Sequence, residues 1–332
     1  MTGAIKLSKA DGTTWVDLDN GAGLEATFSG RGAGVYSLRY HGERLNLVLS
    51  DPAVYLTSPQ FFGKTLGRVA GRIPCDFAID GSKLRLPEDR DGFCLHGGKL
   101  ASLSFQEWTP TITETADAFS VAFTLLSPAG DCGFPGNLKA RVVYSFPRDG
   151  SAAFTIRFAA EADQTTPVSF SNHIYWDLQD DNDVSRQRLW MNADRYGTGD
   201  GKSQLITGIA QVPEAFDFRT GSALGPKLDV IERTFPEKTI DHTFLYAQKT
   251  VAHPQTTLEN DRIRVSLFTD LPAMNIYVDS SKTPVAFANG AGRNRRRGIA
   301  LEPQLFPLDH GQLLLKPGQT YSGFIRYLIE SK

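Results

Sequence analysis

Cysteine is nearly absent from this chain: Cys75, Cys94 and Cys132 are the only three among 332 residues. An odd number without paired spacing excludes a disulfide framework and points to a reducing, cytoplasmic setting. Long apolar runs are missing too, and nothing approaches the roughly 20 residues that a membrane-spanning helix needs. The first ten residues, Met-Thr-Gly-Ala-Ile-Lys-Leu-Ser-Lys-Ala, lack the apolar core of a signal peptide. The formal charge is only −2, which predicts neither nucleic acid nor an acidic membrane as a partner. One basic cluster, Arg293, Arg295, Arg296 and Arg297, sits in Gly-rich surroundings and reads as a solvated loop or a phosphate site. No linker, repeat or low-complexity block divides the chain, so residues 1–332 read as one domain although length alone would suggest about two.

Several catalytic signatures are also lacking. There is no Gly-x-Ser-x-Gly elbow and no Cys-x-x-Cys or His-x-x-x-His spacing. Cys94-x-His96 offers two ligands on one strand face, which Cys75 or His173 could join, but without a supporting motif the expectation is no metal. Gly30-Arg31-Gly32-Ala33-Gly34 resembles part of a dinucleotide loop. The strand-like Val35–Tyr40 that follows makes a hairpin turn the better reading, because a phosphate loop needs a helix there.

What the chain has in quantity is period-two patterning. Leu138, Ala140, Val142, Tyr144 and Phe146 alternate with Lys139, Arg141, Val143 and Ser145, and Ile263, Val265 and Leu267 alternate with Arg262, Arg264 and Ser266. Residues 120–126 and 153–160 behave in the same way. Asp-Gly pairs at 11–12, 80–81, 91–92, 149–150 and 200–201 punctuate these runs as hairpin signals. Helical periodicity is scarce, its best candidate being a short helix within 59–69. The pattern predicts an all-β chain, a large antiparallel β-sandwich or barrel.

Against that background five segments are hard to explain as packing. In Ser171–Leu178, strand alternation puts Phe170, Ile174, Trp176 and Leu178 on one face with Asn172. It puts Ser171, His173, Tyr175 and Asp177 on the other. Such a polar row is either a solvated face or a setting that holds an imidazole for proton transfer. Gly67–Ile73 carries Arg68 and Arg72 among glycines, and Gly92–Gly98 places His96 before a Gly-Gly turn. Asp241 precedes His242, and Ile299–Pro307 sets Glu302 and Gln304 opposite Ile299, Leu301 and Leu305. A carboxylate in so apolar a strand is costly unless it faces water or a cleft. Each has a bland alternative: Arg72 covering apolar surface, His96 capping a turn, Asp241 bonding its own backbone, Glu302 pairing with an arginine.

Taken in order, the motifs resemble those of the aldose 1-epimerase family, the galactose mutarotases. Gly67-Arg68-Val69-Ala70-Gly71-Arg72-Ile73 is similar to the family's Gly-Arg-x-x-Asn-Arg-Ile, and Leu95-His96-Gly97-Gly98 to its Leu-His-Gly-Gly. Gly133-Phe134-Pro135-Gly136, Asn172-His173-Ile174-Tyr175-Trp176, Asp241-His242-Thr243-Phe244 and Leu301-Glu302-Pro303-Gln304 follow in the family's order. Leu315–Tyr321 resembles its closing strand.

The resemblance implies a galactose mutarotase-like supersandwich whose concave face binds one monosaccharide. It implies interconversion of α and β anomers through the open-chain aldehyde, with Glu302 as base, His173 as acid and no metal or redox cofactor. Arg72, His96, Asp241, Asn275 and Gln304 would hold the sugar. Two positions depart from the family: Gly71 stands for asparagine, and Asn275 for a glutamine one methylene longer. Both touch hydroxyl recognition, so galactose need not be the preferred sugar. Three rivals remain: an epimerase of hexose 6-phosphates using the arginine cluster, a non-catalytic sugar-binding protein, and a glycoside hydrolase using Asp241 and Glu302. The sequence does not give the oligomeric state.

Overall fold

A computed structural model describes residues 3–79, 81–89, 92–199, 204–236, 238–248, 250–281, 283–290 and 296–332. Strands form where period two was read. Leu138–Pro147 buries Leu138, Ala140, Val142, Tyr144 and Phe146 and turns Lys139 and Arg141 outward. Asp11 and Gly12, at φ 54° and 74°, make the two-residue turn that joins Ala4–Ala10 to Thr13–Asp19. Residues 148–152 link Leu138–Pro147 to Ala153–Ala162. Gly30–Gly34 is a hairpin turn between Leu24–Ser29 and Gly34–Tyr40, as expected. The pairs at 80–81, 91–92 and 200–201 fall at least partly outside the described residues.

Three antiparallel sheets dominate. A five-stranded meander runs from Ala4 to Arg44. A nine-stranded sheet is ordered 109–114, 118–127, 138–147, 153–162, 320–331, 263–269, 256–259, 188–191, 222–223. A six-stranded sheet is ordered 175–176, 299–304, 273–278, 241–246, 193–198, 208–211. The long sheet packs against both others across one core. The Phe28 and Tyr144 rings lie 4.6 Å apart, and those of Trp176 and Tyr327 4.9 Å apart. Each such fully buried aromatic contributes roughly 1.5–3 kcal/mol. This is the expected sandwich of antiparallel sheets. No helix among the described residues is long and apolar enough to cross a membrane.

Two expectations fail locally. Residues 59–69 are not a helix: Phe61 and Gly63 take positive φ, and Thr65–Leu66 pairs as a strand with Ser171–Asn172. Phe61, Phe62, Leu66 and Val69 are simply buried from several sides, and that mimicked a helical stripe. Among the described residues, α-helices lie instead at Pro52–Thr57, capped by Asp51, at Leu224–Thr234, where Leu224, Leu228 and Ile231 share the buried face, and as a single turn at His310–Leu313. The continuous strand expected over 171–178 is broken too. Asn172 Oδ1 accepts the Ile174 N–H at 3.1 Å, which separates Ser171–Asn172 from Tyr175–Trp176. Every residue from Phe170 to Leu178 is buried, so the polar row is not a solvated face. Asp177 belongs to a turn, accepting the Gln179 and Asn182 N–H groups, and burial raises its carboxyl to about 7.

Candidate active site

Alternation in the six-stranded sheet builds the site. Phe244, Met274, Ile276, Val278, Ile299 and Leu301 face the core. The intervening residues Asp241, Thr243, Asn275, Tyr277 and Glu302 face a cleft. Register places Glu302 beside Asn275, Asn275 beside Thr243, and Tyr277 beside Asp241. His173 comes from the break between the two short strands, held by backbone bonds to Lys64 O and from Gly63 N–H, both 2.9 Å. Arg72 and His96 come from the short ribbon Arg72–Pro74 with Phe93–Leu95. The cleft encloses about 840 Å³.

Its centre is a buried carboxyl facing an imidazole. Glu302 Oε1 lies 3.5 Å from His173 Nε2 and accepts Asn275 Nδ2 at 3.3 Å, while Oε2 has no partner. Asn275 is itself fixed by Thr243, whose hydroxyl donates to Oδ1 at 2.9 Å. Burial, with a smaller contribution from the Asp241 charge, pushes Glu302 up to about 8. Burial pulls His173 down to about 4. Both shifts favour the neutral forms, the carboxylic acid and the free imidazole.

An ion pair flanks this centre. Arg72 grips Asp241 through two bonds, Nη2 to Oδ2 at 2.7 Å and Nη1 to Oδ1 at 3.3 Å. Burial would raise the Asp241 carboxyl, but the Arg72 charge and hydrogen bonds outweigh it and the net shift is downward. Its side chain keeps 24% of its surface exposed, turned to the cleft. His96 Nδ1 accepts the Gly71 N–H at 3.1 Å, so the ring carries its proton on Nε2. Burial, with the neighbouring His173 and Arg72, holds it well below its ordinary value and hence neutral.

Six of the seven residues expected from sequence thus converge: Glu302, His173, Arg72, His96, Asp241 and Asn275 all line the cleft. Gln304 does not. It is fully buried behind Gly71, and neither amide atom has a partner. A Cβ at position 71 would fall 2.9 Å from its Nε2, so Gln304 fills room that an asparagine side chain at 71 would need. Two positions were missed. Phe61 packs its ring 4.9 Å from His96 and stacks 6.1 Å from His173, and Thr243 orients Asn275. The Thr243 signal was available, since it sits two residues from Asp241 on the same strand face.

A family profile described as aldose 1-epimerase matches residues 15–328. The chain belongs to that family. It is 28% identical to the aldose 1-epimerase of Escherichia coli over 330 residues, covering 93% of each chain. It is 30% identical to the rat galactose mutarotase over 282 residues, covering 81% of this chain and 78% of the relative. A maltose epimerase of Levilactobacillus brevis is 27% identical, with 88% and 87% covered. The galactose 1-epimerase structure from Lactobacillus acidophilus superposes with a TM-score of 0.86 at 24% identity over 99% of both chains.

The two arginines of the family's Gly-Arg motif have separate tasks. Arg72 lines the cleft, whereas Arg68 is buried and donates to Ser127 O and Oγ, Pro128 O, Pro135 O, Gly136 O and Thr166 Oγ1. The Gly133–Gly136 motif therefore supplies carbonyls to Arg68 rather than contacts to a ligand. Arg296 pairs with Asp229 and Glu232, and Arg297 with buried Asp279. Arg293 and Arg295 lie outside the described residues.

His96, His173 and Glu302 form the one set among the described residues whose ligand atoms lie close enough, within 4.8 Å, to hold a metal ion. The donor chemistry fits poorly. His96 Nδ1 already accepts an amide proton, which leaves Nε2 protonated and unable to ligate. Cys94, considered with His96 from sequence, is buried and its thiol is pushed up to about 12, away from the thiolate that binds metals.

Proposed function

We propose that this chain interconverts the anomers of a free aldose by acid–base ring opening, with Glu302 and His173 as the proton-transfer pair. The observation that carries the reading is the 3.5 Å approach of a buried carboxyl to a buried imidazole at the base of a cleft. The remaining polar groups there, Arg72–Asp241, His96 and Asn275, suit sugar hydroxyls. Binding alone gives no reason to bury a carboxyl that no counter-charge holds ionised.

Between about pH 4 and 8 the pair holds one proton, which rests on Glu302. Moving that proton to His173 creates a carboxylate base and an imidazolium acid without net charge. The carboxylate takes the proton from the anomeric hydroxyl as O1 becomes the carbonyl oxygen. The C1–O5 bond breaks with its electron pair going to O5, and His173 delivers a proton there. Rotation about C1–C2 and the reverse transfers close the ring on the other face. Each positioned group contributes on the order of 10²–10⁴-fold. No step needs a metal or redox cofactor. Asp241, held at both oxygens by Arg72, is a poor second carboxyl for glycoside cleavage.

Relatives' names include a hexose and a disaccharide, so they do not choose the sugar. Polarimetry on freshly dissolved α-anomers of glucose, galactose, arabinose, xylose, fucose and glucose 6-phosphate tests the reading. Faster mutarotation of at least one free sugar, unchanged by a chelator, is expected. Activity abolished by chelation and restored by zinc would overturn the metal-free route.

A further inference from the structure

Four side chains of the site lie in one straight row across the six-stranded sheet. Thr243 pairs directly with Asn275, and Asn275 directly with Glu302. Continuing the Tyr175–Ala300 register places His173 opposite Glu302. Directly opposite residues hold their Cβ atoms roughly 5 Å apart on one face, which suits a chain of short polar side chains. The bonds follow the row. The Thr243 hydroxyl donates to Asn275 Oδ1 at 2.9 Å, and Asn275 Nδ2 donates to Glu302 Oε1 at 3.3 Å. The same Oε1 faces His173 Nε2.

An asparagine amide has two ends of nearly equal shape and opposite chemistry. Nδ2 gives Glu302 a donor, whereas Oδ1 in that place would repel the carboxylate and favour the acid. Asp241, held ionised by Arg72, takes a hydrogen bond from Asn275 as well. Both carboxyl groups thus select the N–H end, which turns Oδ1 the other way. There it needs a donor, since Asn275 is 4% exposed and a buried acceptor without a partner is costly. Thr243, itself buried, supplies it. On the far side of Thr243 the continued Tyr196–Phe244 register puts Gly197, which has no side chain to compete for the hydroxyl.

We propose that Thr243 is a positioning residue for the proton-transfer pair: its hydroxyl locks the Asn275 amide with the N–H end on Glu302, so the carboxylate formed during ring opening meets a donor already in place. The inference rests on the ring-opening reading above and adds to it a group that takes no proton itself. A donor set beforehand needs no reorientation when the charge appears. Removing the hydroxyl leaves Oδ1 unpaired, and the amide turns over or swings away. Either change makes the carboxylate harder to form beside His173.

The test uses Thr243→Val, which keeps the shape without the hydroxyl, Thr243→Ala, which removes both, and Thr243→Ser, which keeps the hydroxyl. Polarimetry on the full chain, with the free aldose that the unaltered protein turns over fastest, gives kcat, KM and the pH profile of each. Thr243→Val and, independently, Thr243→Ala should lower kcat by about three- to tenfold with KM within about twofold. Thr243→Ser should stay within about twofold of the unaltered protein in both. Losing a donor to the charged form raises the carboxyl further. The alkaline decline of kcat/KM should therefore move up by about half a pH unit or more without the hydroxyl, and stay in place in Thr243→Ser. The titratable groups around Glu302, namely His173, His96, Asp241, Arg72, Tyr175 and Tyr327, are the same in all three variants. Added to Asn275→Ala, Thr243→Val should cost less than about twofold, since the hydroxyl acts through the amide. An unaltered kcat and alkaline limit in both variants that lack the hydroxyl would overturn the assignment. So would a Thr243→Ser protein as slow as Thr243→Val, a loss confined to KM, or the full cost in the Asn275→Ala background. Failure of the unaltered protein to accelerate any sugar would instead remove the ring-opening reading.

Discussion

Glu302→Gln should stabilise the protein in mild alkali while disabling it. The carboxyl ordinarily titrates near 4.5 and burial raises it to about 8. Between those values the folded protein keeps a proton that the unfolded chain has released, so stability falls as pH rises through the window. His173 has the opposite sign. Its imidazole drops from 6.5 to about 4, so the unfolded chain holds the extra proton in that interval and stability climbs with pH. The two slopes oppose each other from pH 4.5 to 6.5, and from 6.5 to about 8 the Glu302 slope runs without that opposition. At about 1.4 kcal/mol per pH unit, the last stretch is worth roughly 2 kcal/mol. Asp177, raised to about 7, adds a slope of the same sign, but it is present in both proteins and cancels in their difference. Urea unfolding of wild type and variant at about pH 6.5 and 8.5 reads the effect. With an m-value of roughly 3 kcal/mol/M, the gap between midpoints should widen by roughly 0.7 M in favour of the variant. A gap that stays constant over this range would show that the carboxyl titrates near its ordinary value, and the acid–base argument would lose its physical basis.

Activity of the same variant should fall by roughly 10²-fold or more in kcat with sugar affinity largely kept, and His173→Gln should behave alike. The double variant should lose far less than the product, since both groups serve one transition state; a loss confined to KM would assign them to binding alone. Because the pair holds a single proton from about pH 4 to 8, kcat/KM measured by polarimetry should be flat between those limits and decline outside them. A steep rise centred near pH 6.5 would instead report an ordinary histidine. Asn275→Gln, which lengthens the side chain joining Thr243 to Glu302, should change the ratio of kcat/KM between two sugars more than the better rate itself. Equal scaling across a sugar panel would show that the position is not read by the substrate.

The long strands were legible because their inner residues face a single core and their outer residues face water. Leu138–Pro147 and Ile263–Thr269 follow directly from period two. Period two failed where both faces are covered. Residues 171–178 lie between the sheet and the 61–66 segment, so alternation there carries no contrast of burial, and the break at Asn172 depends on a local side-chain bond. The helix at Leu224–Thr234 was legible but unread: its buried residues recur at helical spacing, while Gly225 and Pro226 in its first turn resemble a loop. For the site, the titrating residues could be named from resemblance to the family. Their supports could not, because Phe61 reaches the two histidines through a left-handed turn that nothing in its neighbours announces. Gln304 was misplaced for a related reason: it shares the Glu302 strand face, but Gly71 lets it sink behind the cleft instead of lining it.

Arg68 sets the terms on which the cleft can open. Its guanidinium joins the 67–72 segment to carbonyls at Ser127, Pro128, Pro135 and Gly136, and to the Thr166 hydroxyl. Withdrawing this guanidinium would leave its charge and all of these acceptors unsatisfied at once. The ribbon that carries Arg72 and His96 therefore detaches cooperatively or stays docked. In hydrogen exchange, the Gly71 amide, bonded to His96, should open together with the amides of the 127–136 turn, as one unit of sub-global unfolding. Partial fraying of the ribbon that carries Arg72 and His96 is thereby suppressed.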